Sequence, residues 1–152
     1  MAAMRSFVNP SKAKPGDGIS LISPSRGLPE IFPLPYELGK RRLAEDFGLI
    51  PVEYPGTCRM ATTPAERAED IHAAFTDERT SAVIASIGGE DQIKVLKHLD
   101  AELLRAHPKP FFGLSDNTNF MNFLWNLGIV SYHGATVMTA LGRGGAMHKL
   151  SE

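Results

Sequence analysis

Cysteine is all but missing from this 152-residue chain: Cys58 stands alone, which rules out an internal disulfide framework. It also has no partner at metal-ligand spacing. That suits a reducing compartment, and the expected location is cytoplasmic. Aromatic residues make up only 8% of the chain, and neither charge sign dominates, with 16 Lys and Arg against 17 Asp and Glu. A formal net charge of -1 gives no global field to draw nucleic acid or an anionic membrane. No apolar run nears the roughly 20 residues of a membrane span, and Met1-Ala-Ala-Met-Arg-Ser-Phe7 lacks the apolar stretch of a signal peptide. What is present is a core-forming composition, 43% hydrophobic and 22% charged, at the size of one globular domain.

Short β-rich runs alternate with longer helical patterns, which predicts an α/β fold with βα units around a parallel sheet. The first strand is Ile19-Ser-Leu-Ile22, ended by Ser23-Pro24-Ser25. Pro29, Pro33 and Pro35 then crowd a segment too proline-dense for helix or central strand, expected as a loop over the carboxyl edge of the sheet. A helix follows over Tyr36 to Phe47, with Leu38, Leu43 and Phe47 facing inward, Lys40, Arg41 and Arg42 outward, and Gly48 stopping it. Pro51 pushes the strand Ile50 to Tyr54 to an edge position.

Thr63-Pro64-Ala65-Glu66 opens the next helix with a capping box and proline at the first turn, and Ala68, Ile71 and Phe75 give it a buried stripe. The run Ser81 to Ile87 reads as a strand buried on both faces and closed by Gly88-Gly89. Helix is expected from Asp91 through Ile93, Leu96 and Leu99 toward Leu104, then the strand Phe111 to Leu114. An amphipathic helix carrying Phe120, Phe123, Leu124 and Leu127 leads to a last strand, Ile129 to Tyr132. The glycine-rich Gly142 to Gly145 and the polar end read as a linker, dividing the chain into a domain over 1–140 and a connection over 141–152.

In an open parallel sheet, ligands bind beyond the carboxyl ends of the strands, so the informative residues follow each run. Gly113-Leu114-Ser115-Asp116 has Ser115 on a tight strand-to-helix turn, where helix N–H groups favour an oxyanion, as in a nucleophile elbow. Either Ser115 or Asp116 could equally cap the following helix. Gly88-Gly89 permits a plain turn or a close backbone approach, with one N–H there and the Asp116 N–H serving a developing oxyanion. Glu90 and Asp91 would then lie at a helix N-terminus. His133 directly follows a strand and is either a base near Ser115 or a ring packed over the sheet end. His72, His98, His107 and His148 have no metal-site spacing.

Taken together, Ile22-Ser-Pro-Ser25, Ser86-Ile-Gly-Gly-Glu90, Pro110-Phe-Phe-Gly-Leu-Ser-Asp-Asn-Thr118 and Tyr132-His-Gly134 resemble the LD-carboxypeptidases of the S66 serine peptidase type. The match runs in order along nearly the whole chain. The Ile-Gly-Gly form of the second motif is more similar to the branch of microcin C self-immunity proteins. The resemblance implies a three-layer flavodoxin-like or class I glutamine-amidotransferase-like domain. It also implies that Ser115 is the nucleophile and that the backbone of Gly89 and Asp116 forms the oxyanion hole. Gly88, Glu90 and His133 would line the substrate site. In such enzymes the triad Glu and His come from a C-terminal domain, absent from these residues, so His133 becomes a wall of the site rather than its base.

The implied reaction is hydrolysis of an amide in a murein peptide or a peptidyl- or aminoacyl-nucleotide, through an acyl-enzyme and without metal or organic cofactor. The chain alone is then expected to be inactive, because a serine hydroxyl needs an adjacent base. Arg26 and Arg143 are candidate partners for a substrate carboxylate or phosphate. Two other readings stand beside this one. One is a non-catalytic module that holds a nucleotide or sugar anion at Gly88-Gly89 and the helix N-termini; the other is a structural fragment that forms a homodimer through exposed apolar surface. Neither a nucleic-acid polymer nor a membrane is expected as a partner.

Overall fold

The computed structural model describes residues 6–147 and shows five parallel strands in the order β2-β1-β3-β4-β5. The elements run β1 (Gly18–Ile22), α1 (Pro33–Glu45), β2 (Ile50–Glu53), α2 (Pro64–Thr76), β3 (Thr80–Ala85), α3 (Ala101–Ala106), β4 (Phe111–Gly113), α4 (Thr118–Asn126) and β5 (Tyr132–His133). Alternate residues of each central strand feed opposite faces. Ile22, Val83 and Phe111 join Ile71, Phe75, Phe120 and Leu124 in one core, under α2 and α4. Ile19, Leu21, Ala82 and Ile84 join Tyr36, Leu43, Val137 and Leu141 in the other, under α1 and a π-type turn over Val137–Leu141. This is the expected α/β domain of three layers, with strands apolar on both sides because both sides are covered.

Local chemistry accounts for most boundaries. The α2 capping box is closed in both directions: the Glu66 N–H donates to Thr63 Oγ1 at 3.2 Å and the Thr63 N–H to Glu66 Oε2 at 2.7 Å. Gly48 ends α1 at φ 65°, a conformation glycine adopts without steric cost. Pro51 lies on the outermost strand, where a missing N–H spoils no central ladder. Phe120 meets Phe75 and Phe111 edge to face, with centroids 5.8 and 4.9 Å apart, which fixes α4 against the sheet directly behind the β4 turn.

Four local expectations are corrected. The proline-dense stretch is not all loop: after a 3₁₀ turn over Leu28–Glu30, α1 starts at Pro33 and includes Pro35, because first-turn N–H groups have no helical acceptor to lose. Arg42 does not simply face water; its guanidinium donates to the carbonyls of Leu141 at 2.7 Å, of Arg143 at 2.9 Å and of Gly145. No α-helix runs from Asp91. Two 3₁₀ turns, Gln92–Lys94 and Leu96–His98, precede α3, which starts at the Asp100 cap. The last strand is Tyr132–His133 beside β4, while Ile129 makes a separate bridge to Val8. Where a linker is expected, Leu141 and Gly142 are buried and residues 143–146 are exposed; residues 148–152, with His148, lie outside the described residues.

Candidate active site

The strand order places a topological switch between β1 and β3, from which neighbouring chain segments leave toward opposite faces. The loops after β1, β3 and β4 meet there. Gly88 lies against the Ser115 side chain and Gly89 against Ser25: added methyl groups would stand 3.0 Å from Ser115 Cβ and 2.6 Å from Ser25 Cβ. Glycine at both positions is what lets the three loops come this close.

Ser115 has φ 58°, and among the described residues no other non-glycine has positive φ. Holding a non-glycine residue there costs about 1–3 kcal/mol and marks a side chain presented on a sharp bend. Gly113 makes the bend possible, since a Cβ there would press within 2.8 Å of Asn117 Cβ. The Ser115 side chain is at the surface, and among the described residues its Oγ makes no hydrogen bond. Capping of the following helix is therefore not its use. Nor does Asp116 cap: its carboxylate accepts from the Gln92 N–H and from Asn119 Nδ2, each at 2.9 Å. The backbone N–H groups of Gly89 and Asp116 find no acceptor among the described residues.

A polar scaffold holds these loops. Gln92 and Asn117 are fully buried, and Gln92 Nε2 donates to Asn117 Oδ1 at 2.9 Å. On the β1 side, Arg67 reaches up from α2, 4% exposed, donates to the Ser25 carbonyl and pairs with Asp91 at 2.8 Å. That guanidinium holds the Asp91 carboxyl below the usual carboxylate range. Ser23 Oγ joins Ser86 Oγ at 2.5 Å and the Thr57 carbonyl at 2.6 Å, tying the ends of β1 and β3 together. Nothing in the spacing of Gln92 or Arg67 marks either as part of a site. Each acts through partners dozens of residues away.

Arg26 on the β1 loop and Glu90 on the β3 loop form an exposed pair at 3.7 Å, which links these two loops at the surface. His133 is exposed on β5, in register with Gly113, and its ring makes no hydrogen bond or ion pair among the described residues. Arg143 is exposed, and its carbonyl accepts from Arg42 at 2.9 Å. His72 accepts the Asp100 N–H at 2.9 Å, and His98 and His107 are exposed. Among the described residues no group of three or more His, Cys, Asp and Glu is arranged to hold a metal, and no helix is long and apolar enough to cross a membrane.

An exposed serine on a strained strand-to-helix bend, beside two glycines and unbonded N–H groups, invites comparison with known proteins. Residues 19–134 match the LD-carboxypeptidase N-terminal domain of peptidase S66. The chain belongs to the peptidase S66 family. A relative named as a probable murein peptide carboxypeptidase, from Bacillus subtilis strain 168, is 36% identical over 84 residues, 55% of this chain and 26% of that protein. An MccF-like protein from Bacillus anthracis strain Ames superposes with a TM-score of 0.83 at 31% identity, over 89% of this chain and 42% of that one. An MccF-like protein from Streptococcus pneumoniae, solved in complex with AMP, gives 0.80 at 28% identity over 89% and 42%. The S66 chain described here thus spans less than half the length of the relatives it matches.

Proposed function

We propose that this S66 chain is the nucleophile-bearing part of a serine carboxypeptidase, with residues 1–140 as the domain and 141–152 as the start of a connection. Ser115 Oγ attacks the carbonyl carbon of an amide, and the amine leaves with a proton. Water then hydrolyses the acyl ester and frees the serine. The N–H groups of Gly89 and Asp116 receive the oxyanion. Gly88, Glu90 and His133 border the substrate. A Glu and a His that activate Ser115 come from the portion that relatives have and this chain does not span. Alone, the cytoplasmic chain has no appreciable peptidase activity.

The observation that carries this reading is Ser115 itself: φ 58°, side chain at the surface, Oγ unbonded among the described residues, and Gly88 beside it. A residue serving only to cap a helix needs none of this strain. The family supports amide hydrolysis as the reaction. For substrate, the murein peptide carboxypeptidase relative favours a peptide and the AMP-bound neighbour a peptidyl- or aminoacyl-nucleotide.

The test joins this chain to the C-terminal portion of the Bacillus subtilis relative and treats it with a fluorophosphonate. Mass spectrometry should find the adduct on Ser115 and none in Ser115→Ala. A folded fusion left unlabelled would remove the nucleophile assignment and leave a reversible small-molecule binder, which AMP titration would then reveal. Cleavage of an LD-peptide by the unjoined chain, lost in Ser115→Ala, would overturn its inactivity.

A further inference from the structure

Gln92 is a buried polar residue beside the site, and no step of the proposed reaction uses it. It is 0% exposed, follows the Gly88-Gly89 loop, and spends its polar groups on the neighbouring elbow. Its backbone N–H donates to Asp116 Oδ2 at 2.9 Å, its Nε2 to Asn117 Oδ1 at 2.9 Å, and its Oε1 accepts the Phe120 N–H at 2.9 Å. Asn117, also 0% exposed, returns the connection: its Nδ2 donates to the Ile87 carbonyl at 3.1 Å and to the Leu114 carbonyl at 3.0 Å.

Burying two primary amides is unfavourable unless each hydrogen-bonding group is satisfied, and an apolar pair would fill the volume without that demand. What the amides add is direction. Every one of these bonds except that to Leu114 and that to Phe120 crosses between the β3 loop and the β4 turn, and the Phe120 bond anchors the same glutamine to the first turn of α4. Asp116 is further fixed by Asn119 Nδ2, which donates to its carboxylate and to its carbonyl, each at 2.9 Å. The two N–H groups assigned to the oxyanion come from the two loops so bridged.

We infer that Gln92 and Asn117 are positioning residues that set the separation and aim of the Gly89 and Asp116 N–H groups. This rests on the reading of Ser115 as nucleophile. A two-donor hole works only when both donors lie at hydrogen-bond distance from one oxygen, and a displacement of about 1 Å can cost on the order of 100-fold. A hole split between two loops has no covalent means of holding that spacing, and the buried amide pair supplies it.

The test uses this chain and phenylboronic acid, which probes the hole without needing a general base. Boron bonds to Ser115 Oγ, the hydroxyl proton passes to water, and the resulting tetrahedral boronate anion keeps both of its hydroxyls, one directed to the hole. Boron NMR reads the adduct, and proton–nitrogen spectra read the Gly89 and Asp116 N–H groups. Gln92→Leu should weaken the adduct at least tenfold and alter both N–H responses, at a temperature where the spectrum elsewhere remains folded. Asn117→Asp, which keeps the acceptor for Gln92 and removes the donor to Ile87, should weaken it in the same direction and carries the test if Gln92→Leu does not fold. Adduct affinity within twofold of wild type in a folded variant, with only the melting temperature lowered, would overturn the positioning role. A wild-type chain giving no tetrahedral adduct, or one that persists in Ser115→Ala, would instead overturn the nucleophile and the positioning role with it.

Discussion

Gly88 packs tightly against Ser115: a methyl group there would stand 3.0 Å from Ser115 Cβ and 3.3 Å from Ser115 Oγ, close enough that the neighbour must give by a few tenths of an ångström. One of the two must then move. Ser115 is at the surface and already strained, so its side chain is the part that yields. Gly88→Ala in the fusion with the relative's C-terminal portion should slow fluorophosphonate labelling of Ser115 by about 10- to 100-fold, with a circular dichroism spectrum like that of wild type. Labelling at the wild-type rate would mean that Gly88 serves the turn alone.

The strain at Ser115 predicts a gain in stability when the serine is lost to glycine. The left-handed region costs a non-glycine residue about 1–2 kcal/mol, while glycine loses about 0.5–1 kcal/mol more than alanine through the unfolded chain. Ser115→Gly should therefore be more stable than wild type by up to about 1.5 kcal/mol in urea unfolding, and chemically inert toward fluorophosphonate. Ser115→Ala, which keeps the positive φ of 58°, should gain nothing. Equal stability of all three would show that the bend is not strained, and stability would not distinguish this serine from any surface residue.

These two sites were legible in the sequence because their signals are local. A Gly-Gly pair after a buried run and a serine between strand and helix are patterns of adjacent residues, as are the Thr63 and Glu66 box and the edge-directing Pro51. The failures share the opposite cause. Pro33 and Pro35 look helix-breaking until the chain's entry into α1 makes them its first turn. The pattern from Asp91 is helical in spacing, yet Gln92 is held by Asp116, Asn117 and Phe120, and these partners hold two short turns where propensity suggested one helix. Arg42 reads as a solvated charge, although its acceptors, about a hundred residues on in the chain, are the carbonyls of Leu141, Arg143 and Gly145. Periodicity carries no information about such partners.

His72 gives a pH dependence away from the site. Its Nε2 accepts the Asp100 N–H at 2.9 Å at the start of α3, which requires an unprotonated nitrogen, and burial pushes its pKa below the ordinary value. The unfolded chain therefore binds this proton first. The contribution is fully present above the ordinary histidine pKa of about 6.5 and declines as pH falls below it, levelling off once the folded value is passed. Urea midpoints measured from pH 7.5 to 5 should drop more steeply in wild type than in His72→Gln. Parallel curves would assign the slope to other groups.

Arg67 and Asp91 couple the stability of the fold to the two loops that flank Ser115. Arg67 also donates to the Ser25 carbonyl, so its loss frees the β1 loop and the β3 loop together. Asp91 is ionised more readily folded than unfolded, so its contribution is present above the ordinary carboxylate pKa of about 3.9 and disappears as pH falls through its lower folded value. Because the Asp91 side chain is 36% exposed, solvent weakens the pair, and about 1 kcal/mol is the expected scale for Asp91→Asn at pH 7. Arg67→Met should cost more, about 2 kcal/mol, since it leaves the buried Ser25 carbonyl without its donor and Asp91 with Lys94 alone at 3.5 Å. Unfolding in urea at pH 7 and pH 3 checks both. The wild-type advantage over Asp91→Asn should shrink at pH 3, where the unfolded chain is mostly protonated, while Arg67→Met remains weaker at both. If Arg67→Met matches wild type at pH 7, the loops after β1 and β3 are held by Ser23, Ser86 and Gln92 without it.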